Sequence, residues 1–141
     1  MLVDPEDYTH FARTVKRLIL LDVLMKALER DHLYLKSSSC KLIRVWSLML
    51  EKTAEWVRDE WIIQRKALRG FGGEILEVRQ LADYREVKAK FRGYRYTQRY
   101  LNEWIRSECE DLLLQYWKVG RRTEASAYRK NMEGENYHGM K

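Results

Sequence analysis

Two stretches of about thirty residues each repeat their apolar side chains every seven positions, and such a pattern commits the chain to helices packed side by side. In the first stretch Phe11, Leu18, Met25 and His32 form one row, and Leu21, Leu28 and Leu35 form the next. Ile19, Leu20, Val23 and Leu24 widen the stripe, so this helix is expected to be covered on more than one side. Its start is marked by Asp4, which can accept from first-turn amides, and by Pro5 at the first helical position, with Glu6 and Asp7 at the positive end of the helix dipole. It is expected to end near Tyr34, where Ser37-Ser38-Ser39 supplies a break and the next N-cap.

The second stretch runs from about Cys40 to Arg69. Its expected core rows are Leu42, Met49, Trp56, Ile63 and Ile43, Leu50, Val57, flanked by Trp46, while Arg44, Glu51, Glu55, Arg58 and Arg65 take the opposite side. Arg65, Lys66 and Arg69 suit a helix C-terminus, and Gly70 is the expected C-cap. At 1.5 Å per residue the two helices make an antiparallel hairpin ~45 Å long.

The period then shortens toward two between Glu74 and Arg92, entered through Gly72-Gly73. A β-hairpin pairing Val78 with Val87 puts Leu76 opposite Ala89 on one face. On the other face it sets Arg79 against Glu86 and Glu77 against Lys88. Its loop falls at Ala82-Asp83 or within Leu81 to Tyr84; a helix from Ile75 to Lys90 is the competing assignment. Arg92-Gly93-Tyr94 breaks this element, and a third helix is expected from about Tyr96 to Val119, ended by Gly120. The expected fold is therefore α+β and mostly helical, in the order α-α-β-β-α, with residues 1–120 as one compact domain and 121–141 as a flexible tail.

Chemistry is harder to find. Gly70-Phe71-Gly72-Gly73 lacks the GK[ST] of a phosphate loop and follows a helix, so it reads as a helix end and turn. His10, His32 and His138 form no pair at ligand spacing, so neither metal nor cofactor is expected. No GxSxG is present, and neither Cys40 nor Cys109 has a histidine neighbour in sequence to activate it. Glu103, Glu108, Glu110 and Asp111 read as a solvated helix face. An enzyme is not expected. Two isolated thiols in a chain able to build a core are expected free and buried, which suits a reducing, cytoplasmic compartment. The acidic Asp4-Pro5-Glu6-Asp7 does not look like a targeting segment, and no ~20-residue apolar run suggests a membrane span.

Charge is the more telling property. The 141 residues carry a formal +6, yet residues 84–100 (YREVKAKFRGYRYTQRY) hold six cations against one acid. That segment therefore accounts for +5, interleaved with Tyr84, Phe91, Tyr94, Tyr96 and Tyr100. On a strand, Lys88, Lys90 and Arg92 would face out and lead to a helix N-terminus beside Arg95 and Arg99, a surface suited to phosphates. Arg92-Gly93-Tyr94-Arg95-Tyr96 partly matches an RNA-recognition-motif signature, but Arg95 fills its small-residue position and the βαββαβ order is missing. The leading expectation is a regulatory or accessory factor contacting nucleic acid, with Lys88, Lys90, Arg92, Arg95 and Arg99 on phosphates and Tyr94 and Tyr96 stacking on bases. The alternative is a protein–protein interaction module, adaptor or inhibitor, possible as a homo-oligomer. Trp61 and Trp117, off the main stripes, would then mark its interface, and the basic segment would only protect a sheet edge.

Overall fold

The computed structural model of the protein describes residues 4–119. Three helices and a three-stranded antiparallel sheet follow in the order α1 (Pro5–Lys36), α2 (Ile43–Gly70), β1 (Gly73–Gln80), β2 (Tyr84–Phe91), β3 (Tyr94–Leu101) and α3 (Asn102–Trp117). Internal contacts divide the chain into two compact units, Met1–Ile105 and Arg106–Lys141. The second is described as far as residue 119 and consists of the rest of α3 and its end. The expected tail, 121–141, lies outside the described residues.

The start of α1 follows from its first residues. Asp4 is extended, its carboxylate accepts from the Glu6 amide at 2.8 Å, and Pro5 opens the helix. Leu18, Ile19, Leu20 and Leu21 are all buried. Four consecutive residues sweep most of a helical turn, so α1 is enclosed there rather than resting on one face. Each such burial contributes ~1.5–3 kcal/mol. Thr14, also buried, satisfies its hydroxyl by donating to the His10 carbonyl at 2.9 Å.

The turn between α1 and α2 departs from expectation. The serine hydroxyls serve the end of α1: Ser37 Oγ donates to Tyr34 O at 3.0 Å and Ser38 Oγ to Leu35 O at 2.7 Å. Helix α2 begins at Ile43 behind Leu42, with no side-chain cap. At its other end α2 includes Gly70, and the chain reverses at Gly72 with φ +88°. Gly73 then admits a close approach, since a Cβ there would lie 2.5 Å from Leu68 Cδ1 and 3.1 Å from Phe11 Cδ1.

The sheet order is β1-β2-β3. Val78 faces Val87, Arg79 faces Glu86 and Glu77 faces Lys88, as the charge pairing required. However, Ile75 and not Leu76 faces Ala89, because the register shifts between Ile75 and Glu77. The extra residue, Leu76, stands 41% exposed, and the bulge keeps Ile75 and Glu77 on their proper faces.

The larger correction concerns residues 94–101, expected to open a helix and found as β3. Arg92 and Gly93 have φ of +52° and +87°, the left-handed pair that a two-residue hairpin turn requires. Gly93 takes that conformation without a steric penalty. Arg92 is held in it by an ion pair with Asp7 at 2.9 Å and by its guanidinium, 4.8 Å from the Phe91 ring centre. The strand Tyr94–Leu101 then sets Tyr94, Tyr96 and Tyr100 on one face and Arg95, Thr97 and Arg99 on the other. Its end is tied back by Asn102, whose amide donates to Asp83 O at 2.9 Å and whose side chain donates to Leu81 O and Ala82 O. The inner face of the sheet closes the core: Phe91, fully buried, stacks on Phe11 with centroids 4.6 Å apart, and Phe71 meets it edge-on.

Candidate functional site

Two surfaces of the first unit carry the candidate residues, and the sheet determines the first. Strand alternation buries Val87, Ala89 and Phe91 and sends Lys88 and Lys90 outward. The ladder lays three rows across the outer face: Glu74, Lys90 and Arg95; Glu77, Lys88 and Thr97; Arg79, Glu86 and Arg99. The basic segment is thereby interleaved with acids that lie outside it in sequence. Lys88 meets Glu77 at 3.8 Å, and Glu86 takes Arg99 at 3.1 Å and Arg79 at 3.7 Å. Glu86 is only 8% exposed although it sits on the solvent side, because two guanidiniums cover it.

Of the five expected phosphate ligands, the structure pairs three with acids. Lys88 has Glu77, Arg99 has Glu86, and Arg92 leaves the row altogether for Asp7. Lys90 and Arg95 face one another across the β2–β3 ladder and make no ion pair among the described residues. Arg95 and Arg99 belong to a strand, not to a helix N-terminus, which corrects that part of the expected site. The stacking tyrosines are also displaced. Tyr94 and Tyr96 fall on the opposite side of β3 from Arg95. Tyr96 packs against Tyr8 and Phe11, with centroids 4.9 and 5.5 Å away, while Tyr94 is 45% exposed. Tyr84 does reach the outer face, where Arg99 lies 5.2 Å from its ring centre.

The expected interface tryptophans are half-buried. Trp61 lies under the Arg65 guanidinium at 5.2 Å and lines a cleft of about 600 Å³ with Leu18, Leu68, Ile75 and Arg69. Trp117 lies near the end of α3.

The second surface was read as core. Leu42, Met49, Trp56 and Ile63 form one seven-residue row along α2, yet Leu42 is 59%, Met49 39% and Ile63 57% exposed, and Trp56 is half-buried. The face that α2 does bury carries Thr53, Val57 and Leu68. Thr53 is admitted by donating its hydroxyl to Met49 O at 2.7 Å. Val45, Trp46 and Leu48 add exposed apolar surface near the start of α2, as Leu33 and Tyr34 do near the end of α1. No residue of α1 after Leu28 and none of α2 before Thr53 is buried. Both apolar rows of α2 looked alike in sequence; only the number of neighbours available to cover them separates the two. Cys40 likewise is exposed where burial was expected, while Cys109 is buried, and both are free thiols.

Among the described residues no three His, Cys, Asp or Glu side chains are grouped to hold a metal ion, and no helix is long and apolar enough to cross a membrane. Residues 8–121 match the model of a family described as YhjD protein. No curated protein and no solved structure matches the chain.

Tyr100 is the titratable group most altered by its surroundings. Burial, and secondarily the charge of Tyr8, pushes its hydroxyl up to about 12, and its ring stacks 5.8 Å from Trp104. The folded protein therefore holds a proton that an unfolded chain releases near pH 10. This contribution to stability is complete below pH ~10 and is lost as pH climbs toward about 12. An ultraviolet titration of the phenolate band is expected to show one late-ionising tyrosine, absent in Tyr100→Phe, whose stability falls less steeply across that interval.

Proposed function

The chain belongs to the YhjD protein family, and we propose that it acts as a non-catalytic protein-interaction module that docks through the outward row of α2. The observation that carries this reading is the continuity of the row: large apolar side chains at positions 42, 49, 56 and 63, the two end residues more than half exposed. Scattered apolar residues on a surface are ordinary, whereas a contiguous stripe marks a contact surface. Heptad spacing favours a helical occupant, because it keeps the stripe facing one partner along its length. In dilute solution the native protein is expected to enhance the fluorescence of anilinonaphthalene sulfonate, and Met49→Glu/Ile63→Glu to lose most of that enhancement with an unchanged unfolding transition. Loss of the fold in the double variant would mean that the row is core, and the reading would fail.

A second reading, contact of the outer sheet face with nucleic acid, is favoured by the facing pair Lys90 and Arg95, two cations without an acid partner among the described residues. It makes the protein an accessory factor that grips phosphates at that pair, with Lys88 and Arg99 recruited from their acids. Binding to random-sequence DNA or RNA would then weaken steeply with salt. Lys90→Ala and Arg95→Ala would each reduce the log–log slope by about one unit, and Arg92→Ala would leave it nearly unchanged. Absence of binding at low salt would remove this reading.

A further inference from the structure

The inner face of the sheet is not covered along its whole length. Val78 stands in register with Val87, so the two share a face, yet Val87 is 1% exposed and Val78 38%. Val78 opens instead on the cleft of about 600 Å³ bounded by α1, α2 and β1. Leu18, Ile19 and Leu68, all buried, form its apolar side, and Trp61 adds a flat aromatic wall. A concave apolar site with a few converging polar groups is the usual form of a small-molecule site.

The charged residues of the lining select the ligand. Asp22 is held by Lys26 at 3.1 Å, and Glu74 stands in register with Lys90. Arg65 and Arg69 line the same cleft and make no ion pair among the described residues. Helix α2 offers them none. The positions three and four residues from Arg65 are Trp61, Ile62, Leu68 and Arg69, and those preceding Arg69 are Arg65 and Lys66. Two guanidiniums therefore stand one turn apart with no acid between them, a mutually unfavourable pair that a bound anion relieves. Arg65 is drawn to the Trp61 ring at 5.2 Å, which holds its donors beside the flat wall. The planar fork of a guanidinium matches a carboxylate better than any other organic anion of similar size matches a point charge. We propose that this cleft binds a small aromatic carboxylate, its ring against Trp61 and Val78 and its carboxylate on Arg65 and Arg69. The site shares no residue with the row at 42, 49, 56 and 63, and it stands whether or not that row docks a partner.

Titration of the full chain with 2-naphthoate, followed through the indole N–H signals of its five tryptophans in nuclear magnetic resonance spectra, tests this. A saturable shift is expected in the signal that Trp61→Phe removes. Arg65→Gln and Arg69→Gln are each expected to weaken binding ~10-fold, as loss of a charge-assisted hydrogen bond does, with the unfolding transition kept. Lys66→Gln removes the same charge from the same helix outside the cleft and is expected to bind as the wild type does. On the wild-type protein, 2-naphthamide, which keeps the ring without the charge, is expected to bind more weakly than 2-naphthoate. Decanoate, which keeps the carboxylate on a flexible chain, is expected to do the same. Absence of a saturable shift in the Trp61 signal would overturn the site. Equal affinity for the amide, or an equal loss in Lys66→Gln, would overturn the role of the two arginines. Tighter binding of decanoate would overturn the aromatic ligand.

Discussion

Everything in the first unit depends on the enclosure of α1 between Leu18 and Leu21. A helix buried on several sides needs neighbours on several sides, and the chain supplies two within this unit: α2 along one flank and the inner face of the sheet near Phe11. The same demand explains the modest burial of α2. One helix covering part of α1 can bury one face, and Thr53, Val57 and Leu68 fill it. On the next face Leu42, Met49 and Ile63 stay exposed. The outward row is thus a consequence of how the core is divided: α1 receives cover, and α2 gives it.

The sheet follows a different constraint, the distribution of charge across strands. Counted along the chain, residues 84–100 are strongly basic. Counted across the ladder, Lys88 meets Glu77 from β1 and Arg99 shares Glu86 with Arg79, while Glu74 stands in register with Lys90. Exposed pairs of this kind are worth little individually, about 0–1 kcal/mol. Their larger effect is to specify register, since a slip of one residue would part Arg79 from Glu86 and Glu77 from Lys88 and turn Val87, Ala89 and Phe91 outward. The bulge at Leu76 serves the same end by absorbing the one residue that would have broken the alternation.

Local signals were legible and global ones were not. The Asp4-Pro5 start of α1, the helical hairpin, and the pairing of Arg79 with Glu86 and Glu77 with Lys88 could all be read from spacing and residue chemistry. The third strand was missed because Arg-Gly was read as a break rather than as a turn. An arginine at positive φ is unusual, and its support by Asp7 comes from 85 residues earlier in the chain. The serine cap was assigned to the wrong helix because hydroxyls beside two helix ends serve either equally well in sequence. The dilution of the basic segment needed the β1–β2 register, and the outward face of α2 needed the count of helices around α1. Neither is a local property.

The central claim is that α2 buries the Val57 side and leaves the Ile63 side to solvent within a single chain. Denaturant unfolding of Val57→Ala and Ile63→Ala, compared in dilute solution, tests it most directly. Val57→Ala is expected to cost ~2 kcal/mol, as loss of a fully enclosed side chain does. Ile63→Ala is expected to change stability by less than ~0.5 kcal/mol, as at an ordinary surface position. Comparable losses at the two positions would contradict the account.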